Sequence, residues 1–111
     1  MKTIALWVSV VATIYHAVPG QTDDTPNITA TGFTINMKDP RSHNIIAVSR
    51  DLEEIGFTMN SKVCVTNAGP MNGVWIIRDR MNKRWTKRID FLVDTSIVAG
   101  KWDQAKIRLL K

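Results

Sequence analysis

Apolar residues in this chain recur mostly at every second position, in short runs separated by Gly, Pro, Asn and Asp. That period marks strands, because successive side chains of an extended chain point to opposite faces. In residues 61–66, Val63 and Val65 share one face and Lys62, Cys64 and Thr66 the other. Residues 104–110 alternate likewise through Ala105, Ile107 and Leu109. Near the start, Val8, Val10, Ala12 and Ile14 alternate with Ser9, Thr13 and Tyr15, and residues 45–48 form a short, wholly apolar run. Two further runs, 74–79 and 88–93, enclose a basic segment. In the first, Trp75, Ile77 and Asp79 share a face; in the second, Asp90 and Leu92 share one face and Ile89, Phe91 and Val93 the other. Runs apolar on both faces imply burial on both sides, as in a small closed barrel. The pattern predicts a mainly β chain of about six strands.

Between the runs, Ser49 reads as the N-cap of a helix of about two turns, with Asp51, Glu53 and Glu54 near its N-terminus and Gly56 as its stop. Residues 19–26 read as a loop, 27–32 as a turn that also matches a glycosylation sequon, 33–44 as irregular chain, and 67–73 as a turn ending in the hairpin-type dipeptide Asn72-Gly73. Residues 94–102 read as a loop or helical turn ending at Gly100. At the N-terminus, Lys2 precedes an apolar run from Ile4 to Ala12. It reads either as a short secretory leader or as the beginning of a strand, and the β-branched alternation favours a retained strand after a few dispensable residues. The run is too short to span a membrane, so no stable membrane insertion is expected.

At 111 residues the chain is expected to form one domain, here as a monomer, with enough length for a core without disulfides or metals. One cysteine, Cys64, allows no internal disulfide, and it reads as a small core residue. With no CxxC pair and with His16 and His43 far apart, no metal and no cofactor is expected. The net charge of +5 is concentrated: the window from Arg78 to Asp90 holds six basic and two acidic residues, and the rest of the chain is left near +1. One segment therefore carries the attraction for an anionic partner.

Asp79 and Asp90 stand where the two central runs meet that segment, and periodicity requires neither. If the runs pair as a hairpin, the two carboxylates are neighbours near the base of its loop. One pKa is then pushed up, Trp75 and Ile77 lower the local dielectric, and a general acid results. The alternative is structural: each aspartate pairs with Arg88 or Arg80, or accepts backbone N–H groups. Trp85 among the basic residues suits a sugar ring, a single-stranded nucleic acid or only a solvated loop.

The pattern Arg78-Asp79-Arg80 followed by Arg88-Ile89-Asp90 resembles the signature of RlpA-like double-psi β-barrels and of the "3D" (three-aspartate) domain of membrane-bound lytic transglycosylase A and stationary-phase survival proteins. Asp79-Arg80-Met81-Asn82-Lys83-Arg84 with the later Arg88-Ile89-Asp90 is similar to the form in small bacterial and phage members. Thr29-Ala30-Thr31-Gly32 resembles the family's T-A-S-G turn, and Ile46-Ala47-Val48 its I-A-V strand. The likeness runs over roughly residues 10–110.

The resemblance implies a six-stranded double-psi β-barrel with one or two short helices, binding peptidoglycan glycan strands and, in catalytic members, cleaving them as a lytic transglycosylase. It implies Asp90 as the acid/base and Asp79 as the neighbour that raises its pKa. Around these, Thr29, Thr31, Gly32, Ser49, Arg80, Asn82, Arg84, Trp85 and Arg88 are expected to contact substrate, the basic residues meeting peptide-stem or lactyl carboxylates. Ser49 stands where the family has its first aspartate. That departure supports a rival, a glycan-binding barrel without catalysis. A nucleic-acid-binding domain is a third reading, resting only on the basic loop and Trp85, and no nucleic-acid partner is expected. The implied location is the cell envelope, periplasm or exterior if the N-terminus is a leader, and otherwise a phage-borne or lysis-released protein.

Overall fold

Six strands account for the alternating runs in a computed structural model that describes residues 6–17, 28–36 and 38–110. The 19–26 loop, Asn27 of the sequon and the first five residues lie outside the described residues. The strands are β1 (Val8–Tyr15), β2 (Ile45–Val48), β3 (Lys62–Thr66), β4 (Gly73–Arg80), β5 (Arg88–Leu92) and β6 (Lys101–Leu109). One α-helix, α1 (Arg50–Glu54), and two single 3-10 turns, Pro40–His43 and Gly69–Met71, complete the elements.

The strands close into a barrel in the order β1-β5-β2-β4-β3-β6. β1 pairs with β5 and β2 with β4 in parallel; the other four pairings are antiparallel. The mainly β, six-stranded barrel expected from the sequence is the architecture formed. Among the six strands, β3 and β4 are the one pair of sequence neighbours joined as a hairpin. Their connection is longer than a two-residue turn: Asn72 accepts the Ala68 N–H on its side chain, and Gly73 opens β4 at φ 139.

Alternation fills the barrel. Val10, Ala12, Ile46, Val48, Val63, Val65, Trp75, Ile77, Ile89, Phe91, Ala105 and Ile107 form one buried cluster with Leu52, Phe57, Ala68, Met71 and Val93. Trp75 donates its indole N–H to the Met71 carbonyl at 2.8 Å, and the Arg41 guanidinium lies 4.2 Å from its ring centroid. A second buried cluster lies outside the barrel wall: Tyr15, Ala17, Ile35, Ile45, Ala47, Met81 and Leu92, with Phe33 and Trp85 against it. All four residues of β2 are thus buried, two facing in and two covered from outside. This explains the run without alternation.

Three expectations change. The connection from β4 to β5 is a crossover, not a hairpin loop, because β2 lies between the two strands. Residues 81–87 pass over the end of β2, where the Met81 N–H bonds Val48 O and the Ser49 N–H bonds Arg88 O, both at 2.9 Å. The helix is five residues, and Ser49 caps it only through its backbone carbonyl. Cys64 is half-buried on the outer face of β3, not in the core.

Candidate functional site

The register brings the two aspartates onto one outer surface. Thr13 of β1 faces Asp90 of β5, Asp90 faces Ala47 of β2, and Ala47 faces Asp79 of β4. Neighbouring strands lie about 4.8 Å apart, so the two aspartate backbones are about 10 Å apart with one small residue between them. β4 reaches this register through an irregularity: Ile77 faces Ile46 but Asp79 faces Ala47, so Arg78 is the extra residue. The bulge turns Asp79 away from the face of Trp75 and Ile77. Those two apolar residues are inside the barrel and do not wall the aspartate, contrary to the alternation read from the sequence.

The second cluster carries the rest of the surface. Tyr15 lies two residues beyond Thr13 on the same face of β1 and faces Leu92. Its hydroxyl reaches across β5 and β2 to donate to Asp79 Oδ2 at 3.3 Å. Ala47 between them leaves the path open. Asp79 Oδ1 also accepts the backbone N–H of Ala30 at 3.1 Å and of Arg80 at 3.0 Å. Asp79 thereby pins the 29–32 turn, whose Thr31 N–H bonds Arg78 O at 3.3 Å. Within that turn the Thr29 and Thr31 hydroxyls are bonded at 2.9 Å, Gly32 N–H returns to Thr29 O, and Gly32 holds φ 82, a left-handed conformation that glycine adopts without strain.

Asp90 accepts the Thr13 hydroxyl. Burial pushes its carboxyl up to about 6, while the positive Arg88 on its own strand pulls the other way. Desolvation disfavours the charged form and here outweighs the guanidinium. The expectation that the Asp79 charge raises Asp90 is therefore corrected: burial does it. The Tyr15 hydroxyl is pushed well above its ordinary value, first by burial, then by the Asp79 and Asp90 charges, with the hydrogen bond to Asp79 adding to it. Tyr15 thus lies within the field of both carboxylates and stays neutral.

The remaining predicted residues divide. Thr29, Thr31 and Gly32 are brought to Asp79 by the bonds above. Ser49 is fully buried beneath the crossover, its hydroxyl accepting the Arg88 N–H at 3.0 Å. In this fold it braces the start of β5 and does not face a ligand. Arg80 forms a bidentate pair with Glu53 at 2.7 Å, its guanidinium still within the field of Asp79. This pairing lowers the Glu53 carboxyl below its usual range. Asn82 folds the crossover, its side chain accepting Arg84 N–H and its carbonyl Trp85 N–H. Trp85 packs on the second cluster, and the Arg88 and Arg84 guanidiniums lie 4.1 and 4.8 Å from its ring centroid. The expected open indole platform already carries two cations. Asp51 Oδ2 accepts Lys87 N–H at 2.9 Å, tying the crossover to the helix.

Sequence reasoning missed Tyr15. Its signal was present, since Thr13 and Tyr15 were on the polar side of an alternating strand, but nothing local indicated that this side would be covered. Comparisons with known families, characterised proteins and solved structures return no match for this chain.

Proposed function

We propose that this barrel acts on peptidoglycan glycan strands and cleaves them by lytic transglycosylation, with Asp90 as the acid/base. Two things support the reading: the resemblance of residues 79–90 to RlpA-like double-psi barrels, and a closed barrel with two parallel strand pairs around that stretch. The observation that carries it is Asp90, a half-buried carboxyl on the outer surface, held at about 6 and bonded to a hydroxyl. About a tenth of such groups are protonated at pH 7, roughly a hundredfold more than for an ordinary aspartate.

One carboxyl suffices for this chemistry. Asp90 gives its proton to the glycosidic oxygen as the bond from the muramyl C1 breaks. Its carboxylate then takes the proton of the same sugar's 6-hydroxyl as that oxygen bonds to C1. The product is a 1,6-anhydro ring, and the carboxyl is regenerated. A hydrolytic pair at a fixed separation is not needed. Arg88, which already lowers the Asp90 pKa, stabilises the transient carboxylate. The 29–32 turn provides hydroxyls and backbone groups for the sugar, and Arg84 and Arg88 over Trp85 meet its carboxylates. Action on this polymer takes place in the cell envelope, reached by a leader or by release on lysis.

A binding barrel without catalysis is favoured by a different observation: Asp79 accepts the Tyr15 hydroxyl and the Ala30 and Arg80 N–H groups, as a structural anchor would, and Ser49 is buried under the crossover. Purified protein on sacculi separates the readings. Release of 1,6-anhydromuropeptides by wild type, lost in Asp90→Asn, supports the enzyme. Retention on sacculi without product supports the binder. Salt-sensitive binding to oligonucleotides, with none to sacculi, overturns both.

A further inference from the structure

We propose that Tyr15 is the positioning residue of this site: its ring covers Asp90, and its hydroxyl, donated to Asp79, holds the 29–32 turn over the same surface. The functional consequence rests on the reading of Asp90 as acid/base; the structural part does not.

Three observations carry it. First, the path of the side chain is set by its two ends. Tyr15 starts on β1 opposite Leu92, and its hydroxyl ends at Asp79 on β4, three strands away around the barrel. The strands between are β5, where Leu92 and Asp90 share this face, and β2, where Ala47 does. The ring must cross beside Asp90 to arrive, and it packs in one cluster with Leu92 and Ala47. Second, Asp79 has only two oxygens. One takes Tyr15, and the other takes Ala30 N–H and Arg80 N–H. The tyrosine donor therefore fixes the rotation of the carboxylate that anchors the turn. Third, the groups around Asp90 leave few other covers. β1 offers Thr13 and Tyr15, β2 offers Ala47, its own strand offers Arg88, and Asp79 of β4 is turned to its three donors. Leu92 on the same strand is apolar too, but of these groups Tyr15 alone is a large, mostly apolar side chain that runs past Asp90 to Asp79. Its ring, packed in one cluster with Leu92 and Ala47, takes a leading part in excluding water from Asp90.

The two halves of the side chain are separable by substitution. In Tyr15→Phe the ring stays and the hydroxyl goes; in Tyr15→Leu most of the cover goes too. The test uses the full chain, with the Asp90 carboxyl titrated by carbon NMR and the Ala30 and Thr31 amides followed by hydrogen exchange. Wild type should titrate at about 6. Tyr15→Phe should titrate within a few tenths of that value, with Ala30 and Thr31 exchanging at least about tenfold faster, the loss of roughly one hydrogen bond to a charged group. Tyr15→Leu should bring Asp90 down toward about 4, the ordinary aspartate range. Unchanged exchange in Tyr15→Phe overturns the latch, and Asp90 remaining near 6 in Tyr15→Leu overturns the cover. If Tyr15→Leu does not fold, the Phe variant still decides the latch, and Tyr15→Val, a shorter β-branched residue suited to a strand, decides the cover: Asp90 remaining near 6 there overturns it. Sacculus digestion is measured in parallel: a wild type that shows these titrations but releases no anhydro product refutes the proposed reaction and leaves the positioning role standing.

Discussion

Replacing Asp90 by Asn should make the protein more stable at neutral pH, by an amount that follows from its burial. In the folded chain the carboxyl protonates at about 6; in the unfolded chain it does so at about 3.9. Between those values the folded state binds the extra proton, so stability due to this group is complete below about pH 4 and is lost as pH rises through 6. Holding an ionised carboxylate there costs about 3 kcal/mol at pH 7.5 by linkage. Asp90 keeps part of its surface in water, which screens the charge and brings the expected cost to about 2–3 kcal/mol. Asparagine has the shape of the neutral acid, can still accept the Thr13 hydroxyl, and carries no charge to desolvate. Asp90→Asn should therefore unfold at about 1–2 M higher urea than wild type at pH 7.5 and at the same urea near pH 4, with unchanged m. Two other carboxylates act with the opposite sign, at the acid end: Glu53, lowered by its Arg80 pair, and Asp51, which burial pushes up but hydrogen bonds from the Ser49 side chain and the Lys87 and neighbouring backbone lower on balance. They are common to both proteins and cancel in the difference. Urea melts of the pair at several pH values are the assay. A difference that is flat between pH 4 and 7.5, or an Asn variant less stable at pH 7.5, would refute the claim that burial raises this carboxyl. A carboxyl that costs stability when ionised is the pattern expected of a group tuned for proton transfer, the role proposed for Asp90.

Ser49→Ala removes the acceptor for the buried Arg88 N–H and should cost about 1–3 kcal/mol in denaturant melts, while activity per folded molecule changes little. The Arg80–Glu53 pair is partly exposed, so a double-mutant cycle of Arg80→Ala and Glu53→Gln should give a coupling of about 1 kcal/mol or less, falling with salt. Gly100→Ala puts a Cβ 2.9 Å from Trp102 and 3.1 Å from Ile14; the melting temperature should fall by an amount matching about 1–2 kcal/mol, with Trp102 fluorescence altered. Trp85→Leu frees the Arg84 and Arg88 guanidiniums from their platform and should weaken retention on sacculi several-fold without abolishing the Asp90 titration.

The barrel was legible because its signal is local. A period of two is imposed by the extended backbone itself, so Val63 and Val65, or Ala105 and Ile107, declare their inward face in any barrel they join. The turn at Gly32 and the stop at Gly56 were legible for a similar reason: both hold positive φ, and glycine adopts it without strain. The concentration of positive charge between Arg78 and Arg88 is likewise a property of the sequence alone.

Pairing between strands was not legible, and the site depends on it. A seven-residue connection reads alike whether β4 and β5 are neighbours or stand on either side of β2. The choice is made by contacts near Val48 and Ser49, some thirty to forty residues upstream of the crossover. The bulge at Arg78 then rotates Asp79 onto the outer face, a one-residue shift that no alternation pattern announces. Sequence determined that this chain would build a small β-barrel with two aspartates beside a basic crossover, since strand period, turn chemistry and charge act over a few residues. The tertiary structure alone decided that Asp79 would anchor a turn, that burial would raise Asp90, and that the Tyr15 hydroxyl would reach Asp79. Those outcomes depend on which surfaces exclude water, and water is excluded only once distant segments meet.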